Sequence, residues 1–214
     1  MKNILFDFDG TLINTWPGIE ATLRASLEAL DIPVRDGVIT RSLVGMPLAK
    51  VFEELQGEDP SSAEIVTQKY RELFPTVGMS SAEPFGGILE MLEKLKERDK
   101  EIFLVTARNE MIAKQMMDDH SLTGFFTWVR GEQEGEMPDG KEHMVAEVLL
   151  KFGLARQDCV MVGDRSYDIE AALANGIQAL GVTYGYGTRE ELKGSGAELL
   201  ADSVEELERM LMCN

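Results

Sequence analysis

The stretch Asn3-Ile4-Leu5-Phe6-Asp7-Phe8-Asp9-Gly10-Thr11-Leu12 decides how the rest of the chain is read. An apolar run leads into two carboxylates, with glycine and threonine following. A short unbroken apolar run suits a strand covered on both faces, as in a parallel sheet. Open parallel sheets bind ligands beyond the carboxyl ends of their strands, so Asp7 and Asp9 would stand at a binding crevice. A regular strand would aim both carboxylates at one face, whereas a turn at Gly10 would splay them apart. Asp-Gly is also an ordinary turn signal, so the other strand ends must be read beside it.

Similar apolar runs lie at 101–106, 125–129, 158–162 and 177–182. Between them run segments of helical period. Ile88, Leu89, Leu92 and Leu95 form one stripe. Met144, Val145, Val148, Leu149 and Phe152 form a second, stopped by Gly153. Ile169, Ala172 and Leu173 form a third, stopped by Gly176, and Ser203 with Glu206 has the spacing of a capping box. Strands alternating with helices predict an α/β fold with a doubly wound, mostly parallel sheet.

Residues 16–81 break this alternation. Pro17 suits the first turn of a helix through Ile19, Leu23, Leu27 and Leu30. Pro47 opens a shorter one through Val51, Phe52 and Leu55, and Ser61 with Glu64 offers a capping box before Ile65, Tyr70 and Leu73. The stretch is too long for a simple crossover and predicts a small inserted helical domain at 16–81. Residues 1–15 and 82–214 would form the α/β core, with hinges near 13–17 and 80–84.

The chain has 214 residues, 44% of them hydrophobic, and a formal net charge of −17. That charge argues against nucleic acid as a partner, and no apolar run is long enough for a membrane helix. The N-terminal apolar run is short and broken by Asp7, which does not read as a signal peptide. Two cysteines, Cys159 and Cys213, cannot build a disulfide framework or a four-thiolate zinc site. The expectation is a cytoplasmic protein with reduced thiols, its oligomeric state left open.

Three more segments carry chemistry. Leu104-Val105-Thr106-Ala107-Arg108 puts a hydroxyl at a strand end, then small residues whose backbone N–H groups can face an anion; Thr106 could equally cap the following helix. Met161-Val162-Gly163-Asp164-Arg165-Ser166-Tyr167-Asp168 adds two acids, with Asp168 in the first turn of a helix beginning near Ser166. Lys141 starts the preceding helix, where its charge opposes the helix dipole unless an anion or carboxylate partners it. Four carboxylates in one crevice repel one another unless a cation intervenes, and oxygen ligands favour Mg²⁺. The acidic stretch at 132–139 reads as a solvated loop. Met111, Met116 and Met117 read as core or interface, and neither His120 nor His143 belongs to a triad motif.

Taken in order, Asp7-Phe8-Asp9-Gly10-Thr11-Leu12, Thr106, Lys141 and Gly163-Asp164 to Asp168 resemble the four motifs of the haloacid dehalogenase superfamily. The insertion at 16–81 is similar to that family's helical cap. The resemblance implies that Asp7 attacks phosphorus and that Asp9 serves as acid and base. It implies that Thr106 and Lys141 bind the phosphoryl oxygens, with Gly10, Ala107 and Arg108 contributing to substrate binding. Mg²⁺ would be held by Asp7, the Asp9 carbonyl, Asp164 and Asp168. An aspartate at position 9 sets the chain apart from carbon–halogen and phosphonate cleavers of that family and implies phosphate esters. The segments 39–47 and 181–187 resemble the phosphoglycolate phosphatase branch, whose close relatives act on nucleotides and pyrophosphate, and Asn14 stands where many relatives have aspartate. Arg41, in the cap segment, is the candidate for reading the leaving group of a small phosphorylated metabolite.

Rival readings are a β-phosphoglucomutase-like phosphotransferase, a receiver-like signalling domain and a phosphate-binding protein without activity. The receiver is disfavoured because about 100 residues separate Asp7 from Thr106, whereas receivers place the threonine close behind a mid-domain aspartate.

Overall fold

The computed structural model describes residues 1–33, 37–45, 48, 51–52, 55, 60–133 and 140–213. The chain divides into two compact units, one of residues Met1–Ile13 and Pro84–Asn214, the other of Asn14–Glu83.

The first unit is built on six parallel strands in the order β5-β4-β1-β6-β7-β8. They are β1 (Asn3–Phe6), β4 (Glu101–Asn109), β5 (Trp128–Glu132), β6 (Cys159–Gly163), β7 (Gln178–Val182) and β8 (Leu199–Ala201). β1 lies between β4 and β6, with Leu5 level with Phe103 on one side and Met161 on the other. After β1 the sheet grows outward through β4 and β5, then the chain returns to the other side of β1 for β6. That reversal opens a crevice at the carboxyl ends of β1, β4 and β6.

Helices cover the sheet. In β1 every residue is buried, which is why the run is apolar without alternation. Leu5, Phe103, Val105 and Met161 meet Met144, Val145, Val148 and Leu149 in one core cluster. The helices of this unit are α3 (Ile88–Glu97), α4 (Glu110–Asp119), α5 (Gly140–Phe152), α6 (Ser166–Ala174), α7 (Arg189–Gly194) and α8 (Val204–Met212). Ser203 caps α8 by accepting the Glu206 N–H, as the spacing predicts.

Several details differ from the sequence reading. On α3 the inward stripe is Ile88, Met91, Leu92 and Leu95, while Leu89 is exposed; on α6 Ala171 is buried and Leu173 exposed. Met116 and Met117 are core, but Met111 points outward. The strand expected at 125–129 starts later, because Thr123–Phe125 forms a 3₁₀ turn and β5 begins at Trp128. Two aromatic residues made the turn look like a strand. Of the acidic stretch, 134–139 lies outside the described residues.

The second unit contains α1 (Trp16–Glu28), with Pro17 in its first turn, and α2 (Pro60–Val77). Tyr70 of α2 stacks on Phe74 and meets Phe52 edge-on. α2 begins at Pro60, so Ser61 falls within its first turn. Pro47, expected to open a helix, is outside the described residues, although Val51, Phe52 and Leu55 are buried. Two short strands, β2 (Ile13–Asn14) and β3 (Glu83–Pro84), form a separate two-stranded sheet, and the division between the units falls within them.

β4 runs three residues beyond the expected end, to Asn109, with an irregular register between Val105 and Asn109. The cap of α4 is Asn109, whose Oδ1 accepts from the N–H groups of Met111 and Ile112 at 3.1 and 3.3 Å. Thr106 therefore does not cap this helix. Asn109→Ala should lower stability by about 1 kcal/mol, read as a shifted urea midpoint with unchanged slope.

Candidate active site

The carboxyl end of β1 gives the site its first two acids. The Asp7 N–H donates to the Val162 carbonyl at 2.9 Å, extending the pairing with β6 by one residue. The chain then turns sharply: the Phe8 carbonyl accepts from Leu12 and Ile13, and the Gly10 N–H donates back to the Ile13 carbonyl. Gly10 holds φ of +83°, and a Cβ there would stand 2.2 Å from a carboxylate oxygen of Asp164. Glycine is required both for the turn and for this close approach.

The turn sends the two aspartates to different partners. Asp7 meets the ammonium of Lys141 at 2.7 Å through one oxygen, and its other oxygen has no hydrogen-bond donor among the described residues. Lys141 also donates to Asp168 at 2.5 Å. Asp9 instead receives the guanidinium of Arg108: Nε lies 2.9 and 3.2 Å from its two oxygens, and a terminal nitrogen lies 2.6 Å from one of them. Arg108 thus lies on a carboxylate.

β6 and α6 supply the remaining acids. Asp168, at the third position of α6, accepts the Arg165 N–H at 3.0 Å and so closes the first turn of its own helix. Asp164 accepts from the Tyr186 N–H at 2.7 Å and from the Thr11 hydroxyl at 3.4 Å. Tyr184 donates its phenol proton to the Thr11 carbonyl at 2.9 Å and packs edge-on against Phe85. The loop after β7 thereby braces both the β1 turn and Asp164. The sequence shows 181–187 as a resemblance to the phosphoglycolate phosphatase branch, with no signal for a part in bracing the site. Thr106 is buried, and its Oγ accepts the Arg108 N–H at 3.1 Å.

Asp7, Asp164 and Asp168 are all buried, and one oxygen from each lies within 4.8 Å of the others. Burial is the largest influence on Asp7, and despite the opposing Lys141 charge its pKa is pushed from 3.8 to about 7. Burial, then the charges of Asp7 and Asp168, drives Asp164 well above the usual carboxylate range. Burial alone would pull the Lys141 ammonium down, but Asp168 and Asp7 outweigh it and its pKa ends above the ordinary lysine value. One lysine cannot balance three carboxylates. A cluster of buried carboxylate oxygens short of positive charge is a donor set that fits a hard divalent cation.

Ala107 is exposed on β4, and Arg41 is exposed at the start of the 3₁₀ turn Arg41–Leu43 in the second unit. His143 is exposed on α5. Both cysteines are free thiols, Cys159 buried and Cys213 exposed. No helix among the described residues is long and apolar enough to cross a membrane.

A family model described as haloacid dehalogenase-like hydrolase matches residues 4–182. The chain belongs to this family of hydrolases. A 5'-nucleotidase from Pseudomonas aeruginosa is 32% identical over 191 residues, which cover 89% of this chain and 86% of the relative. A phosphoglycolate phosphatase from Vibrio parahaemolyticus is 27% identical, with 97% of this chain and 94% of the relative covered. The crystal structure of a protein described as a predicted phosphatase from Clostridium acetobutylicum superposes with a TM-score of 0.90 at 31% identity, covering 100% of this chain and 99% of that one.

The raised Asp7 pKa has a consequence for stability. Between 3.8 and about 7 the folded chain keeps a proton on Asp7 that the unfolded chain has released. Each rise in pH across that window then favours unfolding. In EDTA the protein should melt at a lower temperature at about pH 8 than at about pH 5, and Asp7→Asn should remove much of the difference. A wild-type melting temperature that rises over this range would contradict it.

Proposed function

We propose that this hydrolase is a Mg²⁺-dependent phosphatase that cleaves a small phosphate monoester through an aspartyl-phosphate on Asp7. One observation carries the reading. Lys141 holds one Asp7 oxygen, while the other is left without a protein donor among the described residues, beside two further buried acids. A carboxylate fixed through one oxygen and bare at the other is arranged to attack.

The cation would be held by Asp7, Asp164 and Asp168 with the backbone carbonyl of Asp9, and when bound it offsets the negative charge shared by these acids and the phosphoryl group. The free Asp7 oxygen forms a bond to phosphorus as the ester oxygen departs. Asp9 gives that oxygen its proton, then takes one from the water that hydrolyses the phosphoenzyme. Thr106 receives the Arg108 N–H on its oxygen, so its own proton is left for a phosphoryl oxygen. Lys141 faces the same group with its charge and keeps Asp7 oriented. The backbone N–H of Ala107 is assigned to the substrate side, whereas that of Gly10, expected there too, is taken by the Ile13 carbonyl.

The unit Asn14–Glu83 is proposed as the cap that selects the substrate, with Arg41 reading its leaving group. The free thiols accord with a cytoplasmic setting. The curated relatives favour phosphoglycolate or a nucleoside monophosphate as substrate, and no polyanion or membrane is proposed as a partner.

Phosphate release should be measured over phosphoglycolate, nucleoside monophosphates, pyrophosphate and sugar phosphates. Activity should vanish in EDTA and return with Mg²⁺. Asp7→Asn should lower kcat by ~10³-fold or more, and activity that survives it overturns the mechanism. Arg41→Ala should raise KM for the preferred substrate about tenfold, a loss of the size expected for one charged contact. It should barely alter turnover of p-nitrophenyl phosphate, and equal effects on both would remove Arg41 from the substrate site.

A further inference from the structure

Among the described residues two cations of the site pair with three of its acids. Lys141 serves Asp7 and Asp168, while Arg108 serves Asp9. The two pairs differ in kind. Lysine offers a compact charge on a flexible stem, whereas arginine presents a planar fork that fixes the plane of a carboxylate. Three short donor–acceptor distances tie the Arg108 guanidinium to both Asp9 oxygens, and both side chains are largely buried, at 11% and 16% exposure. The backbone supports this placement. Arg108 lies in the irregular part of β4, and Gly131 of β5 lets that segment approach, since a Cβ there would stand 2.7 Å from the Arg108 carbonyl oxygen.

We propose that Arg108 is a positioning residue that acts through Asp9, holding the acid–base carboxyl in the orientation that serves the leaving oxygen instead of binding the phosphoryl group itself. The inference rests on the phosphatase reading above. In the first half-reaction the Asp7–phosphorus bond forms, the bond from phosphorus to the ester oxygen breaks, and the proton on Asp9 moves to that oxygen. Only one Asp9 oxygen carries the proton, so the other can stay on the fork. The carboxylate left behind then has both oxygens available to Arg108, which stabilises the product of the transfer. In the second half-reaction water attacks phosphorus, gives its proton to Asp9, and the Asp7–phosphorus bond breaks.

Leaving-group dependence tests this directly. p-Nitrophenolate departs readily without a proton, whereas an alkoxide needs one. The two esters compared are p-nitrophenyl phosphate and whichever of phosphoglycolate or AMP the enzyme turns over faster. In single turnovers, which isolate the first half-reaction from the hydrolysis step that also uses Asp9, Arg108→Ala should lower the rate of phosphoryl transfer from the alkyl ester by ~10²-fold, the scale of general acid catalysis, and from p-nitrophenyl phosphate by no more than ~3-fold. KM should change by less than ~3-fold for both. Arg108→Lys keeps the charge and loses the fork, so it should leave the alkyl ester within ~3-fold of the alanine variant. It also serves as the variant that tests the idea if the alanine protein does not fold. In an Asp9→Asn background, Arg108→Ala should cost less than a further ~3-fold on the alkyl ester, because the two residues act as one unit.

Equal losses on both esters, a loss carried by KM, rescue by lysine, or additive effects with Asp9→Asn would each overturn the proposal and return Arg108 to a phosphoryl-binding or purely structural part. These outcomes are separate from failure of the underlying reading, which shows as activity surviving Asp7→Asn.

Discussion

Three carboxylates buried around one lysine are the constraint on which the structure of the site depends. Asp7, Asp164 and Asp168 come from the ends of two neighbouring strands and the first turn of a helix, so only a formed sheet brings them together. Burying that much like charge is unfavourable unless it is partnered. The chain answers with Lys141, with N–H donors from Arg165 and Tyr186, and with a donor set suited to a divalent cation. The crowding also explains Gly10, since any side chain there would collide with Asp164.

The parallel sheet makes this arrangement possible at low conformational cost. β1 is central, so its two neighbours deliver residues from both sides to the same edge, and the crevice forms where the chain reverses its direction of growth. The tight turn after Phe8 then separates two functions that stand only two residues apart. Asp7 stays with the lysine and the buried acids, while Asp9 is drawn to Arg108. A net charge of −17 is no obstacle to a phosphate ester in such a site, because a divalent cation held by the buried acids would join Lys141 and Arg108, which alone do not balance them.

Much of the fold can be read from the amino-acid order because strands buried on both faces leave unbroken apolar runs. Where the reading drifted, packing had the last word. β8 has three residues and too little sequence to register as a run. Phe125 and Phe126 imitate a strand but belong to a turn and its exit. On α3 and α6 one member of each stripe differs from the reading, Leu89 and Leu173 being exposed while Met91 and Ala171 are buried, because a period of 3.6 tolerates either choice at the edge of the stripe. The cap of α4 fell to Asn109 because β4 continues past Thr106.

By itself the sequence determined the α/β class, the strand ends and the residue types that would meet there: Asp7, Asp9, Thr106, Lys141, Asp164 and Asp168. These follow from local pattern, since hydrophobic runs and the polar residues ending them are written in order along the chain. Only the tertiary structure decided which cation serves which acid, that Tyr184 and Tyr186 brace the β1 turn and Asp164, and that Arg108 lies on Asp9. Those relations span from 22 positions, between Asp164 and Tyr186, to 173, between Thr11 and Tyr184, and side-chain reach, burial and the angle of one turn settle them.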